Sequence, residues 1–489
     1  MSPGFTQTDF LSIMPEMLIF GMGLVVLLFD LFGQGRSTRN LAYLTLLTLG
    51  AAGYLDVMLL GQFLPGFGGS VIADDFSIAF ELVFLVVCAL TVLISIRYLE
   101  DRGLNHGEYY ALLLFATGGM MVMASGRDLL MIFIGLEILS ISSYILCGFL
   151  QQDRRSNESA LKYFLLGAFA TGFLLYGIML IYGATGSIAL QDIRAALADP
   201  ATFQNPYIWM GLGMLLVGWS FKIALVPFHM WTPDVYEGAP TAVTAFLSTG
   251  PKAACFAALV RILFEALAAT RAEWQQVFWV LAALTMTVGN VLALHQDNIK
   301  RMLAYSSISH AGYILVALVA GGEEALAGVI FYALAYTLMN TGAFAVLILS
   351  SAGDRERVNF SDYAGFGYLE PALGAAMFVF MLSLAGIPLT AGFAGKFQIF
   401  KAVVGQGYIW LAVIGVLNSV VSIYYYLRIS VVMYMQPATG DSISTRPPGS
   451  VPLYVAIVGS LAGVLYLGIF PGGWLEMSLH SVSRIITGG

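Results

Sequence analysis

Apolar stretches of about 20 residues, separated by short polar interruptions, recur along nearly the whole chain, and each is long enough to cross a hydrocarbon core as a helix. They begin near Leu11, Leu41, Phe76, Tyr109, Leu129, Ser159, Tyr207, Thr241, Trp274, Met302, Ala325, Pro371, Tyr408 and Val451, about fourteen candidate spans in all. Strands of a membrane barrel would alternate apolar and polar positions over roughly ten residues. No such alternation is present, so the pattern predicts an all-α polytopic membrane protein. The longest polar stretches, Ser187 to Asn205, Asp354 to Asp362 and Gln436 to Ser450, are too short for a soluble domain. Pro447-Pro448 marks the last of them as a plain loop.

Composition agrees: the 489 residues are 59% hydrophobic and 10% charged, against roughly 25% charged in a soluble domain. Cys88, Cys147 and Cys255 all lie in apolar segments without metal-ligand spacing, which argues against an iron–sulfur cluster or a disulfide framework in this chain. The first residues carry no basic run, so the first apolar stretch is expected to be a retained helix and not a cleaved signal.

The net charge of −7 carries no orientation, because only the placement of Lys and Arg does. With the N-terminus taken as outside, one set of loops and helix ends holds Arg36, Arg39, Arg97, Arg102, Arg154, Arg155, Lys300, Arg301, Arg355, Arg357, Arg428 and Arg446. The opposite set holds Arg127, Arg194, Arg261, Arg271 and Arg484, with Asp74, Asp75, Glu323 and Glu324. The first set is expected to face the cytoplasm, with both termini on the outer side. Lys162, Lys222, Lys252, Lys396 and Lys401 fall in neither set; every arginine sits at a loop or helix end. A desolvated lysine can give up its proton, whereas arginine stays charged, so lysine alone suits a relay that loads and unloads.

The densest chemistry lies between Trp219 and Lys252. Lys222 stands in an apolar helix with Pro227 five residues on, and Lys252 follows Gly250-Pro251. An ionisable group in hydrocarbon costs about 2.5–3.5 kcal/mol even on lenient insertion scales. Proline lacks an amide hydrogen and clashes with the carbonyl four residues back, so the helix is expected to break beside the Lys222 ammonium, where freed backbone can line a wet cavity. A similar theme returns at Pro388 and Lys396, five spans later. Repeats of five helices in opposite orientation would place interrupted helices this way, and such helices point to a transport site.

Glu137 lies mid-span in the fifth segment, ahead of Ser140, Ser142, Ser143 and Tyr144, and should find a cation or be protonated. His310, among Ser306, Ser307 and Ser309, is either a proton shuttle or a hydrogen-bonded packing group. Lys162 opens the sixth span and either snorkels to the interface or supplies protons. His229 is a capping group or a relay. Lys401, Glu16, Asp30 and Arg261 are read as anchors near span ends. Asp56 and Glu81 lie deeper, with no partner that the sequence identifies.

At these residues the chain resembles a known family. Pro227-Phe-His-Met-Trp-Thr-Pro-Asp-Val-Tyr-Glu-Gly-Ala-Pro-Thr, flanked by Lys222 and Lys252, is similar to the antiporter-like membrane subunits of respiratory complex I. Ser306-Ser-Ile-Ser-His-Ala-Gly-Tyr and Gly386-Ile-Pro-Leu-Thr-Ala-Gly-Phe-Ala-Gly-Lys match further signatures, and the resemblance covers nearly the whole chain. Length, span number, Lys396 and the lack of a long C-terminal lateral helix fit one bacterial member best.

The resemblance implies a proton channel of two inverted five-helix repeats with broken seventh and twelfth helices. Residues 1–106 would form an N-terminal three-helix segment, 107–268 and 269–436 the repeats, and 437–489 the last helix. The implied relay is Glu137, Lys222, Lys252 and Lys396, with Lys162 and His310 as further polar groups and Pro227 and Pro388 at the breaks. No cofactor or metal is expected in this chain: NAD, FMN, iron–sulfur clusters and quinone would belong to partner subunits of the membrane-embedded complex, and no nucleic acid is involved. Rival readings are a subunit of a multi-subunit sodium/proton antiporter or membrane-bound hydrogenase, and a stand-alone solute carrier, for which the chain has no substrate signature.

Overall fold

In a computed structural model, which describes residues 6–32, 38–104, 106–351, 356–438 and 449–487, the apolar segments satisfy their own amides as helices. The first six are α1 (Met14–Phe32), α2 (Thr38–Leu59), α3 (Asp75–Glu100), α4 (Glu108–Ser125), α5 (Leu129–Cys147) and α6 (Arg154–Thr185). Next come α7 (Pro206–Lys222), the short α8 (Trp231–Gly238) and α9 (Thr241–Arg261). The second half brings α10 (Arg271–Ala293), α11 (Ile299–Ala320), α12 (Glu323–Ser350), α13 (Pro371–Ala385), α14 (Ala391–Gly405) and α15 (Ile409–Met435). Two more, α16 (Val451–Ile469) and α17 (Gly472–Thr487), close the chain.

Among the described residues, 11 helices are long and apolar enough to cross a membrane: α1, α2, α3, α5, α6, α9, α10, α11, α12, α15 and α16. The other three expected spans fall on α4, on α7 with α8, and on α13 with α14. The last two are interrupted, so that α7 has 17 residues and α13 and α14 have 15 each. From α4 to α9 and from α10 to α15 the order is the same, with the fourth member of each series divided.

Helices in lipid gain little from hydrophobic burial against each other and rely on close contact. Glycine permits it. A Cβ on Gly119 of α4 would stand 2.7 Å from the carbonyl oxygen of Gly135 on α5, and one on Gly135 would stand 2.8 Å from that of Gly119. Gly177 of α6 and Gly211 of α7 meet in the same reciprocal way. The centre of the bundle is α9, buried throughout, with α11 and α12 nearly so. Outward apolar side chains such as Leu24, Leu47, Phe169 and Leu417 suit a hydrocarbon surround.

The basic residues sort to opposite ends. Asp74 caps the start of α3, which rises about 39 Å over its 26 residues. At the Asp74 end lie Arg261, Glu265 and Arg127. At the other end lie the pairs Arg39–Glu100, Lys300–Glu356, Arg301–Asp234 and Arg428–Asp297. Of the expected cytoplasmic set, Arg36, Arg355 and Arg446 lie outside the described residues, as does Pro447-Pro448.

Two residues read as surface anchors are interior. Glu16 is buried and accepts from Ser125 Oγ at 3.0 Å, and Arg261 is wholly enclosed. A span's end is not the protein's surface where neighbouring segments fold over it, as the hairpin β1 (Leu64–Gly66) and β2 (Val71–Ala73) does near Asp74. Asp56 and Glu81 are buried close to Glu16, so three carboxyl groups from α1, α2 and α3 share one apolar interior. Lys401 fits the anchor reading, in an exposed pair with Glu324 at 3.2 Å.

Candidate functional site

Lys222 is the last residue of α7. Beyond it the chain turns through Ala224, whose φ of 61° is left-handed, and through the cis Val226–Pro227 bond before α8 begins at Trp231. Freed backbone groups find partners inside the protein. Leu225 N–H donates to the Ser220 carbonyl at 2.8 Å, Val226 N–H to Thr285 Oγ1 at 3.0 Å, and Trp231 Nε1 to the Phe221 carbonyl at 3.0 Å. A helix C-terminus, with its partial negative charge, favours a cation.

The ammonium has three neighbours on α5. Lys222 Nζ donates to Ser140 Oγ at 2.8 Å, reaches the Tyr144 hydroxyl at 3.5 Å and lies 3.9 Å from Glu137 Oε1. Glu137, Ser140 and Tyr144 stand at i, i+3 and i+7, hence on one face. Thr171 Oγ1 of α6 donates to Glu137 Oε1 at 3.0 Å. The Lys222 side chain is 4% exposed and that of Glu137 29%, so the carboxylate looks outward from the lysine's enclosure. A wall of aromatic rings, Tyr144, Tyr163, Trp231 and Tyr236, continues towards Lys252, whose Nζ lies 6.0 Å from the Tyr236 ring.

Pro251 inside α9 leaves the Leu247 carbonyl without its helical donor. The Tyr236 hydroxyl fills that place at 3.0 Å. Lys252 Nζ donates to Ser307 Oγ at 2.6 Å and to the Ser307 carbonyl at 2.8 Å. One turn along α11, His310 Nδ1 meets the Tyr332 hydroxyl at 2.6 Å and Nε2 the Tyr426 hydroxyl at 2.9 Å, which in turn bonds Ser306. Lys252, Ser307, His310 and Tyr336 line a small cavity of about 10 Å³, room for roughly one water.

Lys396, on α14, reaches back across the break at Gly386 to Leu389. Its Nζ donates to the carbonyls of Leu384 and Ala385, the last two residues of α13, at 3.1 Å each. It also lies 4.6 Å from the centre of the Tyr313 ring, a cation–π contact, and that ring is 5.7 Å from His310. Ser307, His310 and Tyr313 thus make α11 a shared wall between Lys252 and Lys396. Both divided helices set a buried ammonium at the C-terminus of their first half: Lys222 as that half's own last residue, Lys396 from the half that follows.

Lys162 does not join this group. It pairs with Glu158 at 2.6 Å and Asp234 at 3.0 Å at the edge of the bundle, with its side chain 41% exposed. Sequence reasoning missed Thr171, Tyr313, Tyr332 and Tyr426. A single hydroxyl-bearing residue in an apolar run looks the same whether it packs or carries a hydrogen bond.

The family described as "NADH:quinone oxidoreductase/Mrp antiporter, TM" matches residues 126–422, a region that holds Glu137, Lys222, Lys252, His310 and Lys396. A "NADH-quinone oxidoreductase subunit N" of Trichlorobacter lovleyi is 49% identical over 473 residues, 97% of each chain. This chain belongs to the subunit N family. A chain of respiratory complex I from Thermus thermophilus is 36% identical, with a TM-score of 0.80 over 94% of this chain and 98% of that one. The fold is shared more widely than the subunit N family. A chain of the Mrp complex from Dietzia sp. superposes with a TM-score of 0.84 over 97% of this chain and 98% of that one, at 21% identity, a likeness of fold alone.

This member of the subunit N family also has a polar cleft of about 720 Å³ at the end of the bundle that holds Arg102 and Arg301. Glu356 forms part of its wall. Burial would push the Glu356 carboxyl up, but Lys300 at 3.1 Å, the Tyr98 hydroxyl at 2.5 Å and Arg102 at 3.8 Å outweigh it and hold the group at about 2. A lowered value means that the stabilisation is complete above the ordinary glutamate range and is lost as pH falls towards 2. It amounts to roughly 3 kcal/mol. Glu356→Gln is therefore expected to lower the melting temperature of the purified assembly at neutral pH, with the gap to wild type narrowing below about pH 4.5. Equal melting at pH 7 would overturn this account of Glu356.

Proposed function

We propose that this chain is a proton-translocating membrane-arm subunit of an NADH–quinone oxidoreductase, coupling quinone reduction elsewhere in the complex to proton transfer through its buried lysines. The observation that carries the reading is the Lys222 ammonium, enclosed at the end of a broken helix and 3.9 Å from Glu137. While the carboxylate is charged and near, the ammonium is compensated. An ammonium left buried without a counter-charge gives up its proton.

The proton then passes along the aromatic and hydroxyl groups to Lys252, across the cavity to His310, and past Tyr313 to Lys396. Residues 107–268 and 269–436 act as the two repeats of this channel, one interrupted helix in each. The end with Arg97, Arg102, Lys300 and Arg301 faces the cytoplasm of a bacterial inner membrane, and the termini face the periplasm. Lys162, tied to Asp234 at the cytoplasmic edge, anchors α8 to α6 near the mouth. Electrons travel through NAD, FMN, iron–sulfur clusters and quinone in partner subunits, and other membrane-arm subunits flank this one.

Isolation of the tagged chain at native expression level, in mild detergent, tests the reading. The expected product is a complex that oxidises NADH and reduces quinone. A set of antiporter subunits without NADH oxidation, or a lone chain that carries a solute, would replace it.

A further inference from the structure

A direct hydrogen bond between an ammonium and a carboxylate runs at about 2.7–2.9 Å. Lys222 Nζ and Glu137 Oε1 stand about an ångström further apart, at 3.9 Å. Each is bonded to a hydroxyl instead: the ammonium donates to Ser140 Oγ at 2.8 Å, and the carboxylate accepts from Thr171 Oγ1 at 3.0 Å. Oε1 is the contested atom, since it is the one that accepts from Thr171 and also the one that faces Nζ.

Ser140 lies on α5 one turn beyond Glu137 and moves with the carboxylate's own helix. Thr171 comes from α6, and close helix contacts on either side of it fix where its hydroxyl stands. One turn before it, Gly167 leaves room for the Tyr144 hydroxyl of α5, with which a Cβ would collide. Beyond it, Gly177 meets α7, where a Cβ would stand 2.9 Å from the Gly211 carbonyl oxygen. α6 is thereby seated against both helices of the pair, the one that bears Glu137 and the one that bears Lys222. Threonine is stiff at χ1, so the backbone of α6 sets the direction of Oγ1. The separated arrangement thus has hydrogen bonds of its own, which direct contact between the charges would have to displace.

We propose that Thr171 is a positioning residue that holds Glu137 off Lys222, so that the lysine can release its proton as well as take one up. Thr171 exchanges no proton with the relay; its hydrogen stays on Oγ1 throughout. Without that hydroxyl the carboxylate closes on the ammonium, and the proton on Nζ stays where it is. The assignment rests on the proton-translocating reading above, and it adds the side chain that keeps the pair from locking.

The test uses the full complex in sealed vesicles, with NADH-driven proton pumping followed beside electron transfer. Thr171→Val, close in shape but without a donor, is expected to slow pumping about tenfold, the effect of one lost hydrogen bond to a charged group. Thr171→Ser, which keeps the hydroxyl, is expected to recover most of it. A structure of the Thr171→Val complex is expected to show Nζ and Oε1 in direct contact, at about 2.8 Å. Lys222→Ala is the reference for the parent reading. Wild-type pumping in Thr171→Val beside a defective Lys222→Ala removes the role of Thr171 and leaves that reading standing. Wild-type pumping in both removes the reading itself. Equal impairment of Thr171→Ser and Thr171→Val in assembled complexes assigns the residue to packing, and a separation still at 3.9 Å in Thr171→Val means that its hydroxyl does not hold the pair apart. Either result overturns the proposal. Should Thr171→Val fail to assemble, Ser140→Ala, which removes the hydroxyl on the ammonium's side, is read by the same outcomes, with Ser140→Thr as its rescue.

Discussion

Lys222→Ala is expected to abolish most proton pumping by the assembled complex, and Glu137→Gln to match it. At 3.9 Å the pair attracts by about 4 kcal/mol at the effective dielectric that suits protein sites. About 1.4 kcal/mol corresponds to a tenfold change in proton occupancy. Withdrawal or neutralisation of Glu137 therefore changes the hold on the proton by roughly three powers of ten, enough for a switch. Truncation to alanine removes the carrier, and glutamine removes the charge that governs it.

Lys222→Arg separates a relay from a mere structural ion pair. Arginine keeps the positive charge near Glu137 but does not release its proton at accessible pH, so it is expected to pump as poorly as alanine. The measurement is the proton-to-electron ratio in reconstituted vesicles, with NADH oxidation as the control for assembly. A normal ratio in Lys222→Ala, or full pumping in Lys222→Arg, would sink the assignment.

Local chemistry was legible in the sequence where the deciding residues are neighbours along the chain. Lys222 and Pro227 are five apart, and the ammonium stands at the end of α7 because the next residues cannot continue the helix. Glu137, Ser140 and Tyr144 are related by helical spacing, so their common face is readable from the segment alone. That this face meets Lys222 is set by packing between α5 and α7, and the resemblance to a known family supplied the pairing that spacing does not. Lys252 and Lys396 were readable as buried lysines, but not as neighbours of Ser307 or of the α13 carbonyls.

The same limit hid Glu16, Asp56 and Glu81. Each lies on a different helix, and only three-dimensional packing makes them one acidic pocket. The fourteen-span estimate met the converse problem. A divided helix has the apolar content of a span and not its uninterrupted length, so content and length count α7 and α13 differently.

Arg261 shows how far burial departs from position in the chain, and its removal is expected to have the largest effect on stability. Its side chain is 0% exposed. Nη2 meets Asp74 Oδ1 at 2.7 Å, Nη1 meets Glu265 Oε1 at 2.7 Å, and Nε donates to the Ala124 carbonyl at 2.5 Å. One guanidinium thus joins the start of α3, the end of α4 and the end of α9. Arg127 also meets Glu265, at 3.2 Å, so two arginines balance two carboxylates. Arg261→Met leaves one carboxylate uncompensated in the interior, a loss of about 3–5 kcal/mol. It should appear as a large drop in melting temperature and in the amount of chain that assembles. Lysine in the same place keeps the charge but not the fork that reaches three acceptors at once, so Arg261→Lys should recover only part. The double variant Arg261→Met with Asp74→Asn restores neutrality and should be more stable than Arg261→Met alone. If the double variant is no better, the loss comes from packing and not from the stranded charge. If Arg261→Met melts and assembles like wild type, the network does not hold this end of the bundle together.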